Sequence, residues 1–284
     1  MVEAMVRLIS ASPRSLWLVG VLLFLGHILS HATETAVTKA QRLYASGRYA
    51  EADLVLADHD SSPTAPAADL YLLGKIKVHC GDYAAAFKLL ARAVALAPAE
   101  SDYQLWLGNS YAWAASTADL KERAQWGRKS LRAYQAAIQL QPSNLSARLS
   151  LLNFYRHVPR LLGGGMGRAY HEAEEIHRRD PIQGTYALAV LYAHEQHAAQ
   201  AAAALAIVLA NNPRHYGANV ALGRLAIASG VGRPQGERAL RLCLTLQPSE
   251  NDVSHEQVAA DLRELVEQSP RLAGSELTRR TGNQ

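Results

Sequence analysis

Residues 67–100, AADLYLLGKIKVHCGDYAAAFKLLARAVALAPAE, read as a helix, a Gly81-Asp82-Tyr83 turn, a second helix and a stop at Pro98. Leu70, Leu73, Gly74 and Lys77 lie on the first run. On the second, Ala86, Leu90 and Ala93 recur at spacings of four and three, which places them on one side of a helix. Glycine supplies the turn, and proline, lacking an N–H, closes the second run. A helix pair of this kind cannot bury its apolar side alone, so the fold depends on whether the pattern recurs.

It recurs along the chain. Counting one repeat back from Ala67 gives Thr33, and the first repeat carries Leu43, a Gly47-Arg48-Tyr49 turn, Ala52 and Leu56, with Pro63 and Pro66 flanking its end. The third has Leu107-Gly108, Tyr111, Ser130, Tyr134, Ala137 and Pro142. The fourth has Leu151, Leu152, Tyr155, Ala169, Ala173, Ile176 and Pro181. The fifth runs from Leu188-Ala189 and Tyr192 through Ala201, Leu205 and Val208 to Pro213, with Gln196 where the first, second and sixth place glycine. The sixth has Leu222-Gly223, Gly230, Leu240, Cys243 and Pro248. Asn251 to Gln268 then reads as a closing helix with Val258, Leu262, Leu265 and Val266 on one face.

This pattern resembles the tetratricopeptide repeat (TPR) family, in its exported bacterial form. The resemblance implies an all-α fold: a right-handed superhelical solenoid of about six helix-turn-helix repeats with a C-terminal capping helix. The domain reading is a signal peptide over 1–32, the solenoid over 33–250, the capping helix over 251–270 and a disordered tail over 271–284.

Two repeats depart from the unit length. In the third, ten extra residues separate Gly108 from Pro142. Ser116-Thr117-Ala118-Asp119 resembles a capping box, and Leu120 to Leu140 contains no proline, so the insertion is expected to lengthen the second helix at its start. In the fourth, Val158 to Gly167 holds one proline and four glycines, which favours an enlarged loop between the helices. A phosphate-cradling role for that loop lacks its motif, since no Gly-Lys-Ser/Thr follows and no strand precedes.

The N-terminus carries Arg7 and Arg14, an apolar run from Leu16 to Leu29, and small residues at Ser30 and Ala32, which is the pattern of a secretory signal peptide cleaved after Ala32. The run is 14 residues, short of the ~20 a spanning helix needs. The expected location is therefore periplasmic or secreted without stable membrane insertion after cleavage, and the alternative is an N-terminal membrane anchor. Cys80 and Cys243 fall in the second and sixth repeats, too far apart in a solenoid for the ~7 Å that a disulfide allows, and both are expected as unpaired core thiols.

The chain is 284 residues long, 49% hydrophobic, with a formal net charge of +4. Basic and acidic residues are interspersed, and the tightest basic pairs are Arg128-Lys129, Arg178-Arg179 and Arg279-Arg280. No stripe of charge points to nucleic acid. His194-Glu195-Gln196-His197 lacks the spacing of a metalloprotease and reads as a solvated helix end, and no nucleophile elbow appears. No cofactor, metal or catalytic residue is expected.

The resemblance implies instead a protein or peptide partner held in a concave groove. Carried over position by position, the groove residues are Tyr71, Lys75, His79, Trp106, Asn109, Trp113, Asn153, Arg156, His157, Tyr186, His194 and Arg224. The expected function is a non-catalytic protein–protein interaction scaffold of the bacterial cell envelope. A self-oligomerising structural solenoid is the second class, and an enzyme with a site at the Gly-rich loop the third. The family's carboxylate clamp is matched at Asn109 but not at Leu105 or Ser150.

Overall fold

The structure is a computed structural model that describes residues 34–57, 64–250 and 252–281. The expected signal peptide lies outside the described residues. Among those described there are thirteen α-helices, one short 3-10 turn and no strand. That is six helix pairs and a closing helix. The chain forms two compact units, one ending at Leu89 and the other beginning at Leu90.

The first unit contains α1 (Ala36–Ala45), α2 (Tyr49–Val55), α3 (Ala67–His79) and the start of α4 (Tyr83–Leu96). Its two helix turns share one geometry. Arg48 N–H donates to Leu43 C=O at 2.9 Å and Asp82 N–H to Lys77 C=O at 3.0 Å, while Gly47 and Gly81 take φ of 75° and 79°. This is a Schellman ending, in which a left-handed residue lets the turn satisfy the last carbonyls of the helix. Asp82 then caps α4 by accepting from Ala85 N–H at 3.1 Å. The expected core thiol at Cys80 is corrected: Cys80 is exposed at the end of α3, and Cys243 is buried. Neither forms a disulfide.

The second unit holds α5 (Ser101–Thr117), α6 (Leu120–Leu140), α7 (Leu145–His157), α8 (Met166–Arg179), α9 (Pro181–His194), α10 (Ala198–Asn211), α11 (Tyr216–Ser229), α12 (Arg233–Cys243) and α13 (His255–Thr281). Each helix packs on the next, and α7, α9 and α11 also pack on one another in turn. The second helices bury the stripes their spacing dictates: Ser130, Ala133, Tyr134 and Ala137 on α6, Ala201, Ala204, Leu205 and Val208 on α10. Small residues on the first helices admit these stripes. A Cβ on Gly108 would stand 2.6 Å from the Tyr134 ring, and one on Gly223 would stand 2.3 Å from Leu240 Cγ. Any larger residue at either position would force the pair apart.

The insertion in the third repeat lengthens both helices, not the second alone. Ser116 and Thr117 belong to α5, where their hydroxyls donate to the carbonyls of Trp113 and Ala114. The N-cap of α6 is Asp119, which accepts from Glu122 N–H at 2.9 Å. The enlarged loop expected over Val158–Gly167 joins α7 to α8 at Val158–Gly165, and it is tightly folded. Residues Arg160–Leu162 form the 3-10 turn, and Gly163 and Gly165 take φ of 96° and 114°. A Cβ on Gly164 would lie 1.8 Å from Val158 O. The glycines fold this segment tightly on itself, and the Gly165 N–H donates to Tyr155 C=O at 2.7 Å. At the C-terminal end, α13 continues past Pro270, because an interior proline removes one helical hydrogen bond and bends a helix without having to end it.

Candidate functional site

In the first unit, Tyr71, Lys75 and His79 lie on α3 and are bound up with Tyr44 of α1 and Tyr49 of the first turn. Lys75 Nζ sits 4.5 Å from the Tyr44 ring centre and 4.8 Å from that of Tyr71. His79 stacks on Tyr49 at 4.0 Å and shares a hydrogen bond of 3.2 Å with the Tyr44 hydroxyl. Lys75 is buried. The cluster joins α1, α2 and α3, so these side chains hold the unit together by cation–π and stacking contacts.

The third pair separates its expected residues. Trp106 is 3% exposed and Trp113 is 53% exposed. The expectation that both tryptophans floor a groove is corrected for Trp106, which is core packing, as its bulk and apolar ring favour. Asn109 accepts the Tyr134 hydroxyl proton at 2.9 Å, so its oxygen serves the α5–α6 contact. Beside it, Tyr111 stacks on Trp126 and Lys129 Nζ stands 4.4 Å from the Trp126 ring centre. Trp126 and Lys129 lie in the lengthened helix pair, where the repeat positions give no guide.

The remaining six expected residues come together on α7, α9 and α11. His157 and His194, at the ends of α7 and α9, meet edge to face with ring centres 5.2 Å apart. Arg156 is half-buried and donates from Nε to Asn153 Oδ1 at 2.9 Å. Tyr186 packs its ring 4.9 Å from that of His215, and its hydroxyl fills the space over Gly217 where a Cβ would come within 2.5 Å. Arg224 Nε donates to Asp261 Oδ2 at 2.7 Å, tying α11 to α13. His215 and Asp261 were not legible as site residues: one is an N-cap and the other belongs to the closing helix.

Burial sets the electrostatics of this row. Desolvation, then Arg156 and His194, hold the His157 pKa below its usual value. Desolvation and the nearby charge of Arg224 also weaken the hold of Arg156 on its proton. The Tyr186 phenol is pushed up to about 12, chiefly by burial. The row therefore holds one arginine without a carboxylate partner, one arginine already paired, a His157 ring biased toward its neutral form and a phenol that keeps its proton at neutral pH. Among the described residues no three histidine, cysteine or carboxylate side chains are grouped to hold a metal. No described helix is long and apolar enough to cross a membrane.

No protein-family profile matches the sequence, and neither does any curated protein. Among solved structures, a thermophilic TPR protein of Thermus thermophilus superimposes with a TM-score of 0.56 at 22% identity, over 68% of this chain and 96% of that one. The chain has the tetratricopeptide-repeat fold. The human IFIT1 dimer with PPP-AAAA superimposes at a TM-score of 0.57 and 14% identity, covering 84% of this chain and 54% of IFIT1. The chain thus spans about half the length of IFIT1. In this TPR fold the α7, α9 and α11 row is the succession of first helices, while the second helices of each pair carry the buried stripes described above.

Proposed function

We propose that the chain is a non-catalytic protein–protein interaction scaffold of the bacterial cell envelope, and that the face made by α7, α9 and α11 takes a peptide segment of its partner. The observation that carries this reading is the row itself. Six side chains of binding chemistry, including an arginine and a tyrosine, project from three consecutive first helices, whereas the apolar stripes of the second helices are spent in the core. Arginine and tyrosine are favoured at binding hot spots because they combine apolar area with directed hydrogen bonds. Interspersed acidic and basic residues favour a protein partner over nucleic acid.

A photo-crosslinking side chain at Asn153, which is exposed, tests the reading in envelope preparations. One discrete partner should be captured there and not from Glu174, exposed on α8. Equal capture at the two positions would remove the row as the binding face, and capture of a second copy of this chain would favour the self-oligomerising solenoid. Export rests on the signal-peptide pattern, and N-terminal sequencing should find Thr33 first. A chain still beginning at Met1 and sedimenting with membranes would favour an anchor.

A further inference from the structure

Acidic and basic residues are interspersed along most of the chain, with one interruption. Residues 123–171 contain seven arginines and one lysine but no aspartate or glutamate, so this stretch holds more than the whole net charge of +4. Two of the eight are engaged inside the fold, Arg148 on Glu172 and Lys129 over the Trp126 ring. Arg128, Arg132, Arg160 and Arg168 are exposed, and among the described residues none of the four is ion-paired. They lie around a turn that holds leucines outward. Leu161 and Leu162, in the 3-10 turn between α7 and α8, are 94% and 40% exposed. A leucine in a slack loop can fold back onto the surface, but this turn is pinned. Gly163 N–H donates to Arg160 C=O and Gly164 N–H to Pro159 C=O, each at 3.1 Å, and Arg168 Nη1 donates to Gly163 C=O at 2.6 Å. The turn leans on α6, where a Cβ on Gly163 would stand 3.1 Å from Leu131 Cδ2 and one on Gly127 would meet the Phe154 ring. Leu120, Ala124, Gly127 and Leu131 recur at spacings of four and three, hence on one face of α6, and Arg128 and Arg132 flank that face. Leu120, which begins it on the lengthened part of the helix, is 80% exposed.

We propose that this edge of the second unit docks on an anionic lipid surface, with Leu161 and Leu162 entering the headgroup boundary and Arg128, Arg132, Arg160 and Arg168 meeting lipid phosphates. Apolar side chains ringed by arginines suit such an interface, because the alkyl groups leave water while the cations meet the negative surface. Binding of this kind is peripheral: two leucines reach the interface and go no deeper. Two features favour lipid over another anionic partner. The leucines project from a pinned turn, and a projecting pair gains most from a soft surface that it can enter. A nucleic-acid strand gains from cations set along its phosphates and from open rings under its bases, whereas the centre of this patch is aliphatic. The α7, α9 and α11 row plays no part in this docking, so the two surfaces stand or fall separately.

The test measures sedimentation of the purified full chain with vesicles of phosphatidylcholine alone or mixed in equal parts with phosphatidylglycerol. Partition onto the mixed vesicles should be at least about tenfold stronger and should fall as salt is raised. Leu161→Glu should weaken it by about tenfold or more, whereas Ile207→Glu, the same change at an exposed aliphatic residue of α10, should leave it unchanged. Arg128→Gln and Arg160→Gln should each weaken it by about fivefold, and Arg241→Gln, at the exposed pair with Glu237, by less than about twofold. The apolar run Leu16–Leu29, where retained, enters vesicles of either kind, so local contact is read separately. An environment-sensitive fluorescent side chain in place of Leu161 should shift its emission to the blue with the mixed vesicles, and one in place of Ile207 should not. Equal partition onto the two vesicles, no shift at Leu161, or binding that needs the arginines but is indifferent to Leu161→Glu would overturn the proposal. Binding of an oligoadenylate RNA that needs Arg128 and Arg160, without vesicle binding, would assign the patch to nucleic acid instead. If vesicle binding fails while Asn153 still captures its partner, the lipid edge falls and the scaffold reading stands.

Discussion

Gln196 is the one described non-glycine residue with positive φ, at 63°. It occupies the turn between α9 and α10 with the same bonds that glycine makes in the first unit, His197 N–H to Tyr192 C=O at 2.8 Å and Gln196 N–H to Ala193 C=O at 3.2 Å. A side chain in the left-handed region costs roughly 1–2 kcal/mol. Gln196→Gly should therefore raise stability by about 1 kcal/mol, after the extra freedom glycine gains in the unfolded chain, and a denaturant melt reads the difference. A loss of stability would mean that the glutamine side chain contributes more than its backbone costs. The departure is visible in the sequence, since the turns at Gly47, Gly81 and Gly230 read glycine, but only the dihedral shows that the geometry was kept and the residue strained. At Gly164 composition shows an enlarged loop but not how tightly it folds, because the close approach of the Val158 carbonyl is a three-dimensional fact. His215 adds a pH dependence. Its Nδ1 accepts from Ala218 N–H at 3.1 Å, so it caps α11 only as the neutral ring, and burial lowers its pKa. A histidine whose folded pKa is depressed contributes stability that is present above the unfolded value of about 6.5 and is lost as pH falls from there toward the folded pKa. His215→Asn keeps a capping oxygen and does not titrate, so its melts should lose less stability between pH 7.5 and 5.5 than those of the parent chain. Identical losses would assign the acid sensitivity elsewhere, His157 being the next candidate.

Between elements, the joint of α7 with α8 rests on a buried ion pair. Arg148, buried, donates from Nη1 to Glu172 at 2.9 Å and from Nε to Pro142 C=O at 3.0 Å, and Arg179 Nε reaches that same carbonyl at 3.0 Å. One proline carbonyl that ends the third repeat is thus held by two guanidinium groups of the fourth. Removing one partner of a buried pair strands the other charge, which is more costly than the pair was worth. Glu172→Ala should destabilise the second unit by about 3–5 kcal/mol, whereas Glu237→Ala, which breaks the exposed pair with Arg241, should cost under about 1 kcal/mol. Thermal melts of the two variants make the comparison, and similar losses would show that the Arg148 network is solvated in practice. Helix existence was legible at this scale because the apolar stripes repeat at spacings of three and four and prolines close the pairs. The division of the ten inserted residues between α5 and α6 was not. Ser116 and Asp119 both read as caps, and what decides between them is which backbone N–H each oxygen reaches. The tryptophan pair was misjudged on similar grounds, since a seven-residue spacing fixes a shared helix face but not what covers each end of it.

At the scale of the whole chain, a repeat array must end on a helix that covers the last apolar face, and α13 does so here. Tyr216, Val220, Leu240 and Cys243 of α11 and α12 are buried in one cluster with Val258 and Leu265 of α13, and Leu262 packs against it. Tyr216 also donates its hydroxyl proton to Val253 C=O at 2.9 Å, and Arg224 reaches Asp261 across the same joint. A chain ending at Glu250 loses all of these contacts, and each large apolar side chain returned to water costs about 1.5–3 kcal/mol. Because each repeat leans mainly on its neighbours, the damage should be local. Hydrogen exchange should find protection lost in α11 and α12 but kept in α6 to α8, with binding of a hydrophobic dye reporting the uncovered face. Loss of protection across the whole second unit would instead mean that its helices fold as one cooperative block and that α13 is required for all of them. Either pattern separates the closing helix from the binding row, since Asn153 and Arg156 lie on α7, outside the region expected to open.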